Sequence, residues 1–247
     1  MDRCQLWLTT EEIKPERLED ATVVVIDVLL ATTTLVTIME RGARRIFPVE
    51  NVEEAKQLKA KLNHSSILTG GEQGGKAVQG FDCAHLPDEY TPELVKDKDI
   101  IFLSSNGTRA ISKAKQAQKL ILGNLRNVNT VADYLNHAST KDVIIICAGS
   151  GGHFSLEDYV CANLILSRLN IEDVKLNDAA LFALNHPYNS KEAIAELLAK
   201  GRVGRNLMKL GMEELFQFTV DIGASESNIG IQSEGELGFI PQKLRWE

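Results

Sequence analysis

The sequence has little cysteine and little histidine, and neither residue type is spaced for metal binding. The four cysteines form no C-x-x-C pair, and the five histidines show no zinc-ligand spacing. A disulfide framework and a zinc site are therefore not expected. Aromatic residues make up only 6% of the chain. With 44% hydrophobic residues, a core of mainly aliphatic side chains can hold a globular fold.

Long apolar runs and an excess of positive charge are also missing. No run approaches the roughly 20 residues of a membrane span, and the start shows no basic segment followed by an apolar one. The formal net charge of -7 argues against a general nucleic-acid surface, which is usually basic. These absences predict a cytoplasmic protein without membrane or nucleic-acid partners. An anionic substrate would have to be bound locally, by a metal ion, an arginine or backbone N–H groups.

Two common nucleotide-binding motifs are absent as well. The glycine-rich stretch that begins at Gly149 is not followed by the Gly-Lys-Ser/Thr of a Walker loop. No G-x-G-x-x-G opens a helix after the first strand. A Walker-type phosphate loop and a dinucleotide site are therefore not expected.

Short apolar runs alternate with helical patterns along most of the chain, which is typical of β/α units. We expect strands at Gln5–Thr9, in the run from Val23, and at Arg45–Val49, Ser66–Thr69, Asp99–Ser104, Lys119–Leu122, Asp142–Ala148 and Phe239–Pro241. Helices are expected at Thr33–Arg41, Val52–Leu62, from Arg109 to Ala117, at Asn127–Asn136, Ser155–Leu169 and over most of 177–218. This order predicts one three-layer α/β/α domain over residues 1–247, with a mostly parallel central sheet.

Two segments, 22–62 and 99–137, share one spacing. Thr32 in the first corresponds to Thr108 in the second, and the Asn-Val pair that opens the next helix recurs at the same offset. Both segments read strand, threonine-containing turn, helix, strand and helix. Either a duplication or two independent βαβα units would give this pattern, and the second explanation is slightly favoured.

The stretch from Val23 to Thr34 carries a single acid at the end of an apolar, β-branched run. Such a run suits a strand buried on both faces of a parallel sheet. Asp27 then lies near the carboxyl end of the strand, where open α/β sheets bind ligands. The hydroxyls of Thr32 and Thr33 and the first N–H groups of the helix suit an anion. The alternative is a turn in which these residues only cap the helix.

Polar turns follow three of the expected strands, at Asp27–Thr34, Ser104–Arg109 and Gly149–Asp158. If these strands are parallel neighbours, all three turns open at the same edge of the sheet. The second turn offers groups that suit a phosphate or sulfonate oxygen, namely those of Asn106, Gly107, Thr108 and Arg109. An Asn-Gly turn before a helix cap would have the same pattern. In the third turn, the backbone N–H groups of Gly149, Ser150 and Gly151 suit an oxyanion.

Five acids provide enough oxygen ligands for one hard cation. They are Asp27, Glu72, Asp82, Glu157 and Asp158. Magnesium typically uses one or two carboxylates together with water and substrate oxygens. Glu157 and Asp158 also stand in the first turn of a helix, where acids often serve only as partners of the helix dipole. The residues alone leave both interpretations open.

A series of short motifs runs in order along residues 20 to 165. They are Val25-Ile26-Asp27-Val28-Leu29, Ala31-Thr32-Thr33-Thr34, Gly42-Ala43, Pro48-Val49, Glu53-Glu54-Ala55, Gly71-Glu72, Gly74-Gly75, Gly80-Phe81-Asp82, Ser105-Asn106-Gly107-Thr108-Arg109-Ala110, Cys147-Ala148-Gly149 and Leu156-Glu157-Asp158. Together they resemble the 2-phosphosulfolactate phosphatases, or ComB-like proteins. The last third of the chain matches weakly.

The resemblance implies a magnesium-dependent phosphatase that converts 2-phosphosulfolactate, a small phosphorylated acid, to 3-sulfolactate and phosphate, towards coenzyme M. It implies Asp27 and Arg109 as catalytic residues, and Asp27, Glu72, Glu157 and Asp158 as Mg²⁺ ligands. Substrate contacts are expected from Thr32, Thr33, Asn106, Gly107, Thr108, Gly149, Ser150 and Gly151. A homodimer is a further expectation. In such chemistry Mg²⁺ neutralises phosphate charge while a carboxylate acts as base.

A few positions depart from the family pattern. Leu30 and Gln73 stand where the family usually has arginine, and Asn163 stands at an expected glycine. The alternative function is therefore a diverged, non-catalytic paralogue that binds a small anion or a protein partner. A haloacid-dehalogenase-like phosphatase is disfavoured, because the second aspartate that it requires two residues after Asp27 is Leu29.

Overall fold

The computed structural model describes residues 1–188, 190–232 and 235–240. Its strands are β1 Arg3–Trp7, β2 Ala21–Ile26, β3 Arg45–Val49, β4 Ile67–Gln73, β5 Lys76–Ala77, β6 Asp99–Leu103, β7 Lys119–Gly123, β8 Asp142–Cys147, β9 Lys175–Leu176, β10 Ile229–Ile231 and β11 Leu237–Phe239. Its helices are α1 Ala31–Glu40, α2 Val52–Leu62, α3 Pro92–Val95, α4 Gly107–Lys113, α5 Val128–His137, α6 Leu156–Leu166, α7 Asp178–Leu184, α8 Lys191–Lys200, α9 Arg202–Lys209 and α10 Glu213–Thr219. Short 3₁₀ turns lie at Thr10–Glu12, Pro15–Arg17 and Pro87–Glu89.

The strands form one mixed sheet in the order β5-β4-β6-β3-β11-β10-β7-β2-β8-β1-β9. Strands β4, β6 and β3 pair in parallel, and so do β7, β2, β8, β1 and β9. Between these two parallel blocks lies the antiparallel pair β10–β11, which pairs antiparallel with β7 on one side and β3 on the other. The expected α/β fold with a mostly parallel sheet is confirmed.

The condition under which all three polar turns would share one sheet edge holds only in part. Strands β2 and β8 are direct parallel neighbours, but β6 belongs to the other block. Because three antiparallel pairings separate β3 from β7, the ladder directions of the two blocks are opposite. Parallel strand pairing therefore places only the turns after β2 and β8 at one edge of the sheet, and it does not account for the position of the turn after β6. The short β10–β11 hairpin, of which only the second strand was expected, is the reason.

The two segments with shared spacing have the same elements, β2-α1-β3-α2 and β6-α4-β7-α5. Each segment gives its second strand to the other, because β3 pairs with β6 and β7 pairs with β2. Helices α1 and α4 therefore cross the same middle part of the sheet and contact one another. This exchange brings the amino ends of α1 and α4, and the turns before them, into one site.

The core consists of layers on both faces of the sheet, as the alternation of side chains in β2 illustrates. Val23 and Val25 pack with α1 and α4 on one face, whereas Val24 and Ile26 pack with α5, α6 and the later helices on the other. A smaller cluster around Val49 packs α2 against β3, β4 and β6. Burial of β2 on both faces explains its continuous β-branched sequence.

The β10–β11 hairpin fits between the two blocks because a glycine allows a close approach. A Cβ atom on Gly230 would lie 2.1 Å from the carbonyl oxygen of Leu120 in β7. The strand that the sequence predicts at Phe239–Pro241 begins earlier in the structure, at Leu237, and ends at Phe239. Pro241 lies outside the described residues.

Asp99, at the start of β6, binds side chains at the start of β3 and in the segment between α2 and β4. Its fully buried carboxylate accepts hydrogen bonds from Arg44 Nε at 2.8 Å and Arg45 Nε at 3.1 Å, and His64 Nε2 lies 3.0 Å away. Burial by itself would raise the pKa of Asp99, but the hydrogen bonds and charges of the two arginines outweigh it. The pKa of Asp99 is therefore lowered to about 2.

The Asp99→Asn variant is expected to lose about 2 kcal/mol of unfolding free energy at pH 7. Because the folded pKa lies below the unfolded one, this contribution is present above pH ~4 and is lost as the pH falls towards 2. Urea unfolding between pH 3 and 7 measures it. Asp142→Asn, which breaks the more exposed Arg3–Asp142 pair, should cost less than ~1 kcal/mol. Equal effects of the two variants, or a constant Asp99→Asn difference down to pH 3, would contradict this explanation.

Candidate active site

Asp27 lies where the chain leaves β2 and turns into α1. The Asp27 N–H donates to Thr32 Oγ1 at 3.0 Å, and the Thr32 hydroxyl donates to the Asp27 carbonyl oxygen at 2.8 Å. These bonds fix the backbone of the turn. The backbone N–H groups of Ala31 and Gly107, the first residues of α1 and α4, are hydrogen-bond donors to the Asp27 carboxylate. Asp27 thus lies between two helix amino ends, where negative charge is favoured.

The turn after β8 is joined to Asp27 through the first turn of α6. Ser155 caps this helix by accepting a hydrogen bond from the Asp158 N–H. The Asp158 carboxylate accepts one hydrogen bond from Val28 N at 2.9 Å and another from Gly149 N at 3.1 Å. It therefore connects the turns after β2 and β8. The neighbouring Glu157 side chain is buried and accepts no hydrogen bond from any residue in the described ranges.

Glu72 comes from β4, in the other parallel block. Its carboxylate accepts hydrogen bonds from the N–H and the hydroxyl of Ser105, at 2.5 and 2.9 Å, and from Gly75 N at 2.6 Å. The sequence predicts that this strand ends at Thr69, whereas the structure extends β4 to Gln73. Glu72 is consequently held against the turn that precedes α4.

The four acids Asp27, Glu72, Glu157 and Asp158 are all buried and lie close enough to repel one another. Burial, followed by the charges of Glu157 and Glu72, raises the pKa of Asp27 to about 7. Burial and the charges of Asp27 and Glu157 raise the pKa of Asp158 above its usual range. In the described part of the chain, no lysine, arginine or histidine forms an ion pair with these acids. Such a cluster is costly unless a cation joins it.

The donor set fits a hard cation better than a soft one, because all its atoms are carboxylate oxygens. Among the described residues, however, no three His, Cys, Asp or Glu side chains are grouped closely enough to enclose a metal ion. Asp82 is not part of the cluster, because it accepts hydrogen bonds from Thr69 and pairs with Lys59.

The glycine-rich turn after β8 contacts the turn before α4. Gly151 N donates to Asn106 Oδ1 at 3.0 Å, and Ser150 N donates to His153 O at 2.9 Å. With Gly149 N bound to Asp158, three N–H groups of this turn already have partners within the protein. The turn therefore holds the site together, and its predicted role as an oxyanion cradle stays a prediction.

Arg109, in the first turn of α4, points to the rim of the site. Its Nη1 atom lies 3.2 Å from Glu11 Oε1, and both side chains are about 40% exposed, at 43% and 42%. A Cβ atom on Gly152 would also lie 3.4 Å from the Glu11 carboxyl carbon. Arg109 thus reaches the glycine-rich turn through Glu11. Its predicted catalytic role is not tested by this contact.

The threonine hydroxyls predicted to bind substrate have backbone partners. Thr32 and Thr33 are fully buried, and their hydroxyls donate to Asp27 O, Gly123 O and Val28 O. The Thr108 hydroxyl donates to Ser104 O. In these positions they shape the two turns. Gly107 also has a structural role, because its backbone packs closely against Ala31 and Asp27.

The sequence did not single out Arg202 as a site residue. Its Nη2 atom donates to the Ser150 hydroxyl, although 52 residues separate the two in the chain. Nothing in the local pattern of α9 signals this contact, which depends on how the later helices pack. His85 lies between β5 and the 3₁₀ turn Pro87–Glu89, and burial lowers its pKa. The Thr34 hydroxyl donates to the His85 carbonyl oxygen, which fixes the loop beside α1.

The two family arginine positions differ in their surroundings here. Leu30 is only 7% exposed and packs in the core beneath the later helices. Gln73 is exposed at the end of β4, next to Glu72. Neither side chain supplies positive charge. Arg202 contacts the glycine-rich turn directly, and Arg109 reaches it through Glu11.

Comparison with known proteins identifies close relatives along nearly the whole chain. A family model described as 2-phosphosulpholactate phosphatase matches residues 7–233. A protein of Caldanaerobacter subterraneus subsp. tengcongensis, named probable 2-phosphosulfolactate phosphatase, is 37% identical over 88% of this chain and 90% of its own length. Proteins with the same name from Carboxydothermus hydrogenoformans and Symbiobacterium thermophilum are 38% and 39% identical, over 90% and 84% of this chain and 91% and 90% of their own lengths. Within the described residues, no helix is both long and apolar enough to cross a membrane.

Proposed function

The chain belongs to the 2-phosphosulpholactate phosphatase family, and on that premise we propose that it is a phosphatase that hydrolyses 2-phosphosulfolactate to 3-sulfolactate and phosphate. The observation that carries the proposal is the position of Asp27. Its buried carboxylate lies between the amino ends of α1 and α4, beside three further buried acids. Helix amino ends attract oxyanions, so negative charge is favoured at this place.

We propose that Mg²⁺ is the cofactor, held by Asp27 and by Glu157 or Glu72. The support is chemical: these carboxylates are buried together, and no described basic side chain is paired with them. When bound, the ion would neutralise phosphate charge and orient a water molecule for attack on phosphorus. Glu157 accepts no hydrogen bond within the described residues, so both of its oxygens are available to a ligand. Asp158 also positions the site, because it joins the turns after β2 and β8 by accepting the backbone N–H groups of Val28 and Gly149.

The protein's own groups then have separable tasks. Asp27 is the group closest to both helix amino ends, and as a carboxylate it can take the proton of the attacking water. Hydrogen bonds to Asp158 and Glu72 hold the turns after β2, β8 and β6 at fixed separation. Asn106, whose Oδ1 is bound by Gly151, has its amide N–H₂ left to donate to a phosphate oxygen.

The test is phosphate release by the purified full chain from 2-phosphosulfolactate and a panel of small phosphorylated acids. Treatment with EDTA is expected to abolish release, and Mg²⁺ is expected to restore it, whereas Ca²⁺ should restore little because it prefers a larger and looser oxygen shell. No release from any phosphomonoester with any divalent cation would overturn the proposal. Tight binding of 2-phosphosulfolactate without turnover would instead support a non-catalytic paralogue.

Three further proposals concern the setting of the protein: a cytoplasmic location, a homodimer and a role towards coenzyme M. They come from the sequence and the family resemblance alone. Cell fractionation tests the first, and light scattering after gel filtration tests the second. Deletion of the gene, followed by measurement of cellular 3-sulfolactate, tests the third.

A further inference from the structure

Arg202 reaches the site from a helix that supplies none of the acids. It is the first residue of α9, and its guanidinium donates to the hydroxyl of Ser150 in the glycine-rich turn. The next residue of that turn, Gly151, donates its N–H to Asn106. Arg202 is thus one residue away from the contact that joins the glycine-rich turn to the amino end of α4, where Asp27 lies.

The charge of Arg202 is not neutralised by a carboxylate in the part of the chain that the structure describes. Arg109, in contrast, pairs with Glu11 at 3.2 Å. The surrounding segment 200–209 contains Lys200, Arg202, Arg205 and Lys209 and no acid, in a chain of net charge -7. Arg202 therefore stands at the rim of an acidic cluster with its positive charge available.

The glycine-rich turn is open to solvent at Gly151, the residue after the one that Arg202 contacts. A Cβ atom built on Gly151 would meet no other atom within 4 Å, so the turn faces open space. The contact of Arg202 with the uncharged Ser150 hydroxyl uses only part of its hydrogen-bonding capacity, since a guanidinium has five N–H donors. The remaining donors form a planar fork that suits the two oxygens of a carboxylate or sulfonate.

We propose that Arg202 is a specificity-determining residue that binds the second oxyanion of the substrate, a carboxylate or sulfonate on the carbon skeleton that carries the phosphate. The inference rests on the proposed function, since it assumes that the phosphate itself is bound at Asp27. It assigns the two ends of the site to different anions. The acidic end, with its cation, takes the phosphate, and the basic rim at Arg202 takes the other anion. The substrate class is therefore a phosphorylated acid rather than a neutral phosphomonoester.

The test compares Arg202→Ala and Arg202→Lys with wild type on three substrates: 2-phosphosulfolactate, 2-phospholactate and phenyl phosphate. With Arg202→Ala, kcat/KM for 2-phosphosulfolactate is expected to fall about 50-fold, mainly through KM, while phenyl phosphate changes less than about twofold. Arg202→Lys should recover part of the loss, because lysine keeps the charge without the fork. A defect shared by 2-phospholactate identifies the carboxylate as the bound group, and a defect confined to 2-phosphosulfolactate identifies the sulfonate.

Arg205→Ala is the matched control, since Arg205 is an exposed arginine on the same helix whose guanidinium donates to Lys200 O. It should leave all three substrates within about twofold of wild type. Equal losses on phenyl phosphate and 2-phosphosulfolactate, or no loss with Arg202→Ala, would overturn the inference while leaving the proposed function in place.

A binding measurement separates the two proposals further. Calorimetric titration with 3-sulfolactate, which carries a carboxylate and a sulfonate but no phosphate, needs no turnover. Arg202→Ala is expected to weaken its binding by about tenfold or more, and Arg205→Ala is expected to leave it unchanged. If wild type turned over no phosphomonoester, the proposed function would fail. An unchanged 3-sulfolactate affinity in Arg202→Ala would overturn the role of Arg202.

Discussion

Replacing Asp27 with asparagine is expected to lower kcat for phosphate release by about 10³-fold while leaving the fold intact. Asparagine has nearly the same shape, and its amide oxygen can still accept a backbone N–H from a helix amino end. It carries no negative charge for a cation and is not a base for water. Loss of activity in this variant would therefore report on chemistry, and steady-state kinetics with saturating Mg²⁺ measures it.

A stability measurement on the same variant distinguishes a chemical defect from misfolding. Burial first, and then the charges of Glu157 and Glu72, raises the pKa of Asp27 to about 7. An acid whose pKa is higher in the folded state binds its proton more tightly there, so its contribution to stability falls as the pH rises from about 4 to 7. In EDTA at pH 8, Asp27→Asn is therefore expected to raise the melting temperature above that of wild type. At pH 4 the difference should largely disappear.

Asp82→Asn is the matched control, because it makes the same chemical change at a carboxylate outside the cluster. The Asp82 side chain is 41% exposed and lies near Lys59. Its activity is expected to stay within about threefold of wild type, since it touches neither α1 nor α4. An Asp27→Asn enzyme with undiminished kcat would contradict the assignment of the site. A fall in melting temperature at pH 8 would contradict the electrostatic account of the cluster.

Much of the local structure could be predicted from the sequence. The apolar runs identify β2, β6 and β8, because strands buried on both faces are apolar at nearly every position instead of alternating with polar residues. The Asn-Val pair of the first segment opens α2 as expected, since the Asn51 side chain caps this helix by accepting a hydrogen bond from Glu54 N. The short strands β5, β9 and β10 have two or three residues each and lack a recognisable pattern. Local periodicity fails there because it needs a longer run.

The arrangement of the site was harder to predict than its components. The sequence indicated three polar turns, and contacts between them do exist: Asp158 joins the turns after β2 and β8, and Gly151 binds Asn106. The reason given, parallel neighbouring strands, holds for β2 and β8 alone. The turn after β6 lies at the site because α4 packs against α1. This is a long-range contact, which no local sequence pattern predicts. The same limit applies to Arg202, which reaches Ser150 only after the later helices have packed.

Gly107→Ala is expected to damage activity through the contact between α1 and α4. A Cβ atom at this position would lie 2.5 Å from the Ala31 Cβ and 2.8 Å from Asp27 Oδ2. At an unhindered helical site the same change stabilises by up to about 1 kcal/mol. Here the added methyl group must push the amino ends of the helices apart, at a cost of about 1–3 kcal/mol. Displacement of Asp27 by about 1 Å should lower kcat about 100-fold.

A second substitution tests whether this contact is the cause. Ala31→Gly removes the nearer of the two obstructing atoms, so the Gly107→Ala/Ala31→Gly double variant is expected to recover at least tenfold of the lost kcat. Ala31→Gly alone should cost only about 0.5–1 kcal/mol of stability and little activity, since it leaves Asp27 in place. A double variant no better than Gly107→Ala alone would show that the added methyl group displaces Asp27 directly, through the 2.8 Å contact with Oδ2 that remains, and not through Ala31. Rescue would show that the contact between the amino ends of α1 and α4 positions Asp27.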